Sequence, residues 1–128
     1  MLVHFKNTEL QCPLTKKVEL ACGFAEKLDK LRHDFGHAMI VNSCCRSFEY
    51  NKKIGGNEGS FHVYDKAYRV TGGTCAIDVS TRFMDGFLRE RLIFIACLQG
   101  WSIGLGDGFL HLDRRVDYTL LPQIVFGY

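Results

Sequence analysis

The stretch SFHVYDKAYRVTGGTCAID at residues 60–78, with the distant FLHLD at 109–113, decides how this chain is put together. Residues 75–79 (CAIDV) make an apolar run of strand length, and an aspartate inside such a run is costly unless something pairs with it. FLHLD alternates as a strand does, so His111 shares one face with Phe109 and Asp113. Two imidazoles, His62 and His111, and one carboxylate, Asp78, are a donor set suited to a catalytic zinc: three N/O ligands and a fourth position open to water. Water on such an ion ionises near neutral pH. Spacing alone favours a plainer reading, in which His62 is a loop histidine, Asp78 a turn or cap residue and His111 a hydrogen-bonded core residue. Ligands this far apart form no compact motif.

The elements around this stretch follow from periodicity. Val18, Ala21, Cys22, Ala25 and Leu28 recur at helical spacing, with Phe24, Leu31 and Phe35 widening the stripe. Thr15 is the expected N-cap and Gly36 the C-terminal stop. Residues 38–43 (AMIVNS) read as a strand that delivers Arg46 just past its end, where a guanidinium can hold a carboxylate in bidentate fashion; a structural pairing with Glu49 is the alternative. The glycine-rich loop 51–59 (NKKIGGNEG) lacks the strand-to-helix context and the Lys-Ser/Thr ending of a phosphate cradle, so it suits close backbone approach instead. Residues 70–74 (VTGGT) have hairpin-turn chemistry and would carry Lys66, Tyr68 and Arg69 on a flap.

A second helix is expected over 82–99, with Met84, Phe87, Leu88, Leu92, Ile95 and Leu98 on one broad face. Residues 101–108 (WSIGLGDG) read as a strand and tight turn leading into the His111 strand, and 122–128 as a terminal strand or docked tail. The order predicts an α+β fold in one domain, 1–128: two main helices against a small, mostly antiparallel sheet.

Composition narrows the function classes. Sixteen Lys and Arg against fourteen Asp and Glu are too even to suggest nucleic-acid binding by charge. No window approaches the ~18 apolar residues of a membrane span. The N-terminal residues show no signal-peptide pattern, so synthesis in the cytoplasm is expected. The six cysteines contain no C-x-x-C pair, which argues against a thiolate metal cluster. Cys22 and Cys97 fall on apolar helix faces and Cys75 in the apolar strand, so buried, reduced thiols are expected. A redox role for Cys44 and Cys45 would need a strained vicinal disulfide.

In order, the chain presents Phe5, Glu9-Leu10 and Cys12; Leu28, Leu31 and Arg32; Ser43 and Arg46; Asn51, Gly55 and Gly56; Ser60 and His62; Ala76, Asp78 and Val79; and the run 108–113. This succession resembles the zinc D-Ala-D-Ala peptidase family, in particular its short single-domain members from bacteria and phages, over about residues 5–115. The resemblance implies His62, Asp78 and His111 as zinc ligands and Arg46 as the residue that binds or polarises the substrate. It implies hydrolysis of a peptide bond in peptidoglycan by a zinc-activated water; a monomer is expected, and the missing signal-peptide pattern fits a phage- or prophage-encoded protein that acts on the cell wall after release.

Two departures stand out. The family's H-x-x-G-x-A-x-D spacing is stretched here to sixteen residues between His62 and Asp78, which an inserted flap accounts for. The acid that several relatives carry three residues before the last histidine is replaced by Gly108. Asp107 is then the expected general base, and Asp113 the residue that orients a ligand or Arg46. The alternative is a pseudo-peptidase that keeps the metal without catalysis and serves as a cell-wall-binding or structural domain.

Overall fold

The computed structural model describes residues 2–65 and 72–128. Its elements are α1 (Asn7–Leu10), α2 (Phe24–Phe35), β1 (Val41–Ser43), α3 (Phe48–Lys53), β2 (Ala76–Ser80), α4 (Gly86–Leu98), β3 (Ser102–Leu105), β4 (Phe109–Asp113), α5 (Arg115–Tyr118) and β5 (Val125–Gly127). The expected α+β class holds: one five-stranded sheet in the order β1-β2-β4-β3-β5, antiparallel except where β5 runs parallel to β3.

Strand alternation splits the sheet chemically. Ile77, Leu112 and Ile103 stand in register across β2, β4 and β3, as do Val79, Leu110 and Leu105. These side chains join the core with Phe24, Leu28, Leu31 and Phe35 from α2 and Leu92 and Ala96 from α4. Trp101 is fully buried, its ring edge-on to Phe24 at 5.7 Å. The intervening positions form a second row, Ser43–Asp78–His111–Gly104–Phe126, one residue from each strand. Period-2 geometry puts this row on the face away from the helices.

α2 begins at Phe24, not after Thr15. The preceding segment is diverted by pairing: Ala21 donates its N–H to the Thr74 carbonyl, and Thr74 donates to the Glu19 carbonyl. A tertiary bridge here outweighs a weak helical preference. Cys22 therefore lies outside the helix and is exposed, contrary to its expected burial. The end of α2 is as expected, with Gly36 in the left-handed region and its N–H on the Arg32 carbonyl.

α4 starts at Gly86 because the Asp85 carboxylate caps it, accepting from Leu88 N–H at 2.8 Å. Its buried face is narrower than expected: Leu92 and Ala96 are buried, whereas Phe87, Leu98 and Cys97 are exposed. The six cysteines are free, four of them buried. No helix among the described residues is long and apolar enough to cross a membrane. The expected flap falls mainly on residues 66–71, outside the described residues.

Candidate metal centre

Three elements converge on the row described above. β2 and β4 pair Asp78 directly with His111. His62 arrives on a loop that is tied down on both sides. Arg46 N–H donates to the His62 carbonyl at 3.0 Å, Tyr64 N–H donates to the Arg46 carbonyl, and the Thr74 hydroxyl donates to the His62 carbonyl at 2.7 Å. Sixteen residues of separation are thus closed by backbone pairing, and the stretched spacing leaves the donors together. One ligand atom each from His62, Asp78 and His111 lies within 4.8 Å of the others.

Hydrogen bonds to the far side of each ring select the nitrogen that faces the centre. His62 Nδ1–H donates to the Cys44 carbonyl at 2.8 Å, leaving Nε2 towards Asp78 Oδ1 at 3.1 Å. A carbonyl only accepts, so the proton of a neutral His62 sits on Nδ1 and its lone pair points at Asp78. Burial drives the His62 pKa down, favouring that neutral form. Two acceptors therefore face each other at contact distance, an arrangement that a cation resolves. His111 Nε2 lies 2.8 Å from Asp113 Oδ2, and its Nδ1 lies 3.0 Å from Asp78 Oδ1. With Asp113 accepting from Nε2–H, Nδ1 is the nitrogen turned inward. Burial lowers the His111 pKa, but contacts with Asp113 and Asp78 outweigh it and raise the value, so an ion at the centre would take the place of the Nδ1 proton. Ring orientation by a carboxylate behind the ligand is the usual support of a metal-binding histidine. The His/Asp/His donor set fits a divalent ion of zinc type.

Burial pushes the Asp78 carboxyl upward, but contacts from His111 and His62 outweigh it and hold the group well below the usual carboxylate range. Arg46 adds Nη2 to Asp78 Oδ2 at 3.1 Å, while its Nε donates to Ser43 Oγ at 2.9 Å and its Nη1 to Asn51 Oδ1 at 3.2 Å. Arg46 is thus fixed at all three nitrogens, one of them on the carboxylate that both imidazoles face. Asp113 is fully buried and pulled down to about 2: burial raises it, and His111 and Arg115 more than compensate.

These groups open onto a cleft of about 560 Å³, in the size range of peptide-sized ligand pockets. His62, Asp78, His111 and Arg46 lie on its wall, with the glycine loop along one side. Asp107 is exposed in the β3–β4 turn and Asp113 lies beneath His111; neither is on the cleft wall. Asp113 is bonded to His111 and Arg115, and Arg46 is bonded instead to Asp78, Ser43 and Asn51.

Sequence reasoning did not assign three contributors. Asn51 is buried and joins Arg46 to the glycine loop through Nδ2 on the Asn57 carbonyl at 2.9 Å. A Cβ on Gly56 would clash with Asn51 Oδ1, which explains the glycine there. Phe126 and Tyr128 of the C-terminal segment also line the cleft, and Phe126 lies 5.9 Å from the His111 ring. The aromatic alternation in residues 126–128 was the available signal, but nothing local shows that this segment returns to the site.

A comparison with curated proteins returned no match. A family model described as Peptidase M15 matches residues 3–113, spanning both histidine motifs and Arg46. With that match over most of the chain and the donor set assembled as such a peptidase requires, the protein belongs to the Peptidase M15 family, the zinc D-Ala-D-Ala carboxypeptidase-like metallopeptidases.

Proposed function

We propose that the protein is a zinc-dependent peptidase that hydrolyses a peptide bond in peptidoglycan stem peptides or cross-links. The observation that carries this reading is the convergence of ligand atoms from His62, Asp78 and His111 within 4.8 Å of one another, beside a guanidinium and on the wall of a ligand-sized cleft. His62 Nε2, His111 Nδ1 and the Asp78 carboxylate would hold the ion. When bound, zinc supplies Lewis acidity at the scissile carbonyl and an acidified water.

The chain's own residues do the rest. Asp113 keeps His111 in one tautomer and orientation. Arg46, fixed at Nε and Nη1, presents positive charge beside Asp78, where it can stabilise a developing oxyanion or bind a peptide carboxylate. We assign proton transfer from the attacking water to the leaving amine to Asp107, the acid nearest in sequence to the position of the family's base.

A second reading, the catalytically silent metal-binding domain, is favoured by one feature: among the described residues, Asp78 is the sole carboxylate on the cleft wall. Digestion of purified sacculi by the zinc-loaded protein separates the two. Release of new amino termini supports the peptidase. Full zinc occupancy with no release from any peptidoglycan chemotype supports the silent domain.

A further inference from the structure

Arg115 is held by a fork on one edge while standing on the cleft wall. Its Nε and Nη2 grip Asp113 Oδ1 and Oδ2 at 3.0 and 2.7 Å, and its backbone N–H adds a third bond to Oδ1 at 2.9 Å. The guanidinium carbon lies 4.9 Å from the Phe61 ring centre and 5.5 Å from that of Phe126. Rings at these distances favour the cation and restrict its plane. Nη1 makes no hydrogen bond among the described residues, and Arg115 lies on the wall of the same cleft as Asp78.

Arg114 holds Asp117 by the same fork and lies 5.2 Å from the Trp101 ring centre, but its Nη1 is bonded to the Gln99 carbonyl and it is not on the cleft wall. On Arg115 the bidentate grip uses one edge of the fork and leaves donors on the other free. Arg46 and Arg115 both line the cleft, each already paired with one carboxylate, Asp78 and Asp113, so what the wall offers an anionic ligand is the unbonded edge of Arg115 rather than an excess of charge.

We propose that Arg115 is a substrate-positioning residue that binds a carboxylate of the peptide in the cleft, held for that task between Phe61 of the His62 loop and Phe126 of β5. This rests on the peptidase reading for the identity of the peptide. Half of the clamp comes from β5, which lies beyond the matched residues 3–113. The carboxylate is either the terminal one of a D-alanyl peptide or the side-chain one of a glutamyl residue, and the two are separable by experiment.

The test uses three probes on the zinc-loaded and on the metal-free protein: N-acetyl-D-alanine, N-acetyl-D-alaninamide, and N-acetyl-D-isoglutamine, whose carboxylate is on the side chain. Binding is followed by calorimetry and by the Arg115 Nε–Hε resonance. We expect one or both acids to bind at least about tenfold more tightly than the amide, as loss of a charged hydrogen bond implies. We expect the same acid to shift the Arg115 resonance in both forms of the protein, and which acid does so identifies the source.

Phe126→Leu, with zinc content and circular dichroism unchanged, should reduce the preference for acid over amide. Arg115→Lys should abolish it. Equal affinity for acids and amide, or an unmoved Arg115 resonance, would overturn the proposal and leave Arg115 as a partner of Asp113 alone. Sacculus digestion with no acid preference sinks the carboxylate site and spares the peptidase; an acid preference through Arg115 without digestion does the reverse.

Discussion

Gly104 of β3 and Phe126 of β5 stand opposite each other in register, and the Phe126 ring occupies the space a side chain on Gly104 would need. A Cβ there would lie 2.7 Å from Phe126 Cζ and 2.9 Å from Tyr128 Cε2. The absent side chain lets two aromatic rings lie over the sheet next to His111. Gly104→Ala should therefore displace β5 at a cost of about 1–3 kcal/mol, the range for overpacking. The Tyr128 amide, which donates to the Leu105 carbonyl at 3.2 Å, is the probe. Its hydrogen-exchange protection should fall while zinc content is retained. Unchanged protection would show that the rings move aside at no cost to β5.

The three converging donors predict a measurable dependence on metal. Zinc at a hundredfold excess over its dissociation constant should stabilise the fold by about 2.7 kcal/mol, a shift in Tm of roughly 8 °C for a domain of this size. In His62→Ala both the shift and the bound zinc should be lost. Elemental analysis beside a thermal melt makes the measurement. A melting temperature indifferent to zinc in the wild-type protein would remove the basis for the centre.

Asp113 supports His111 from behind without reaching the cleft. Asp113→Asn keeps the shape but loses the charge that holds the His111 tautomer and the Arg115 fork. Zinc affinity should fall roughly 10–100-fold, as for other residues behind metal ligands, measured by competition with a chromophoric chelator. An unchanged affinity would mean that β4 alone orients the ring.

The residues that carry the centre were readable from sequence for different reasons. β4 alternates cleanly, so His111 and Asp113 could be placed on one face. His62 and Asp78 could be named by their chemistry, but their meeting depends on bonds to the His62 carbonyl from the Arg46 N–H and the Thr74 hydroxyl that no spacing rule contains. The later start of α2 has a similar cause: residues 15–22 hold helix-like periodicity, and pairing of 19–21 with Thr74 overrides it. β5 was placed only as a strand or tail because three residues carry too little pattern to reveal which edge they join. The exposed Phe87 and Leu98 reflect a helix apolar on nearly every side, for which periodicity cannot select the buried face.

Arg114 is buried, and its Nε and Nη2 hold the Asp117 carboxylate at 2.7 and 3.1 Å. The hydrogen bond from Arg114 is the largest influence on Asp117 and lowers its pKa, with burial opposing. A carboxyl depressed in the folded state adds stability above its unfolded value near 4, and this is lost as pH falls through the folded value. Asp117→Asn leaves a buried guanidinium without its anion and should cost on the order of 1–2 kcal/mol at pH 7. The difference from wild type should shrink below about pH 4. Urea melts across pH 2.5–7 would show this convergence; a constant difference would assign the effect to packing.

Asp107 faces the most demanding test, because it is exposed in the turn between β3 and β4 and off the described cleft wall. Its neighbour Phe109 does line the cleft, so substrate filling that space meets the turn that carries Asp107. If Asp107 transfers the proton, Asp107→Asn should lower sacculus hydrolysis about 10²–10⁴-fold, the usual contribution of a general base. Zinc content and Tm should stay at wild-type values, since its side chain contacts none of the ligands. Arg46→Lys should also lower hydrolysis, but with a second effect: a single ammonium cannot reproduce three bonds to Ser43, Asn51 and Asp78. The two variants therefore separate proton transfer, which leaves the centre intact, from charge placement, which loosens it. Full activity in Asp107→Asn would remove that residue from the mechanism and direct the search to acidic side chains elsewhere in the chain.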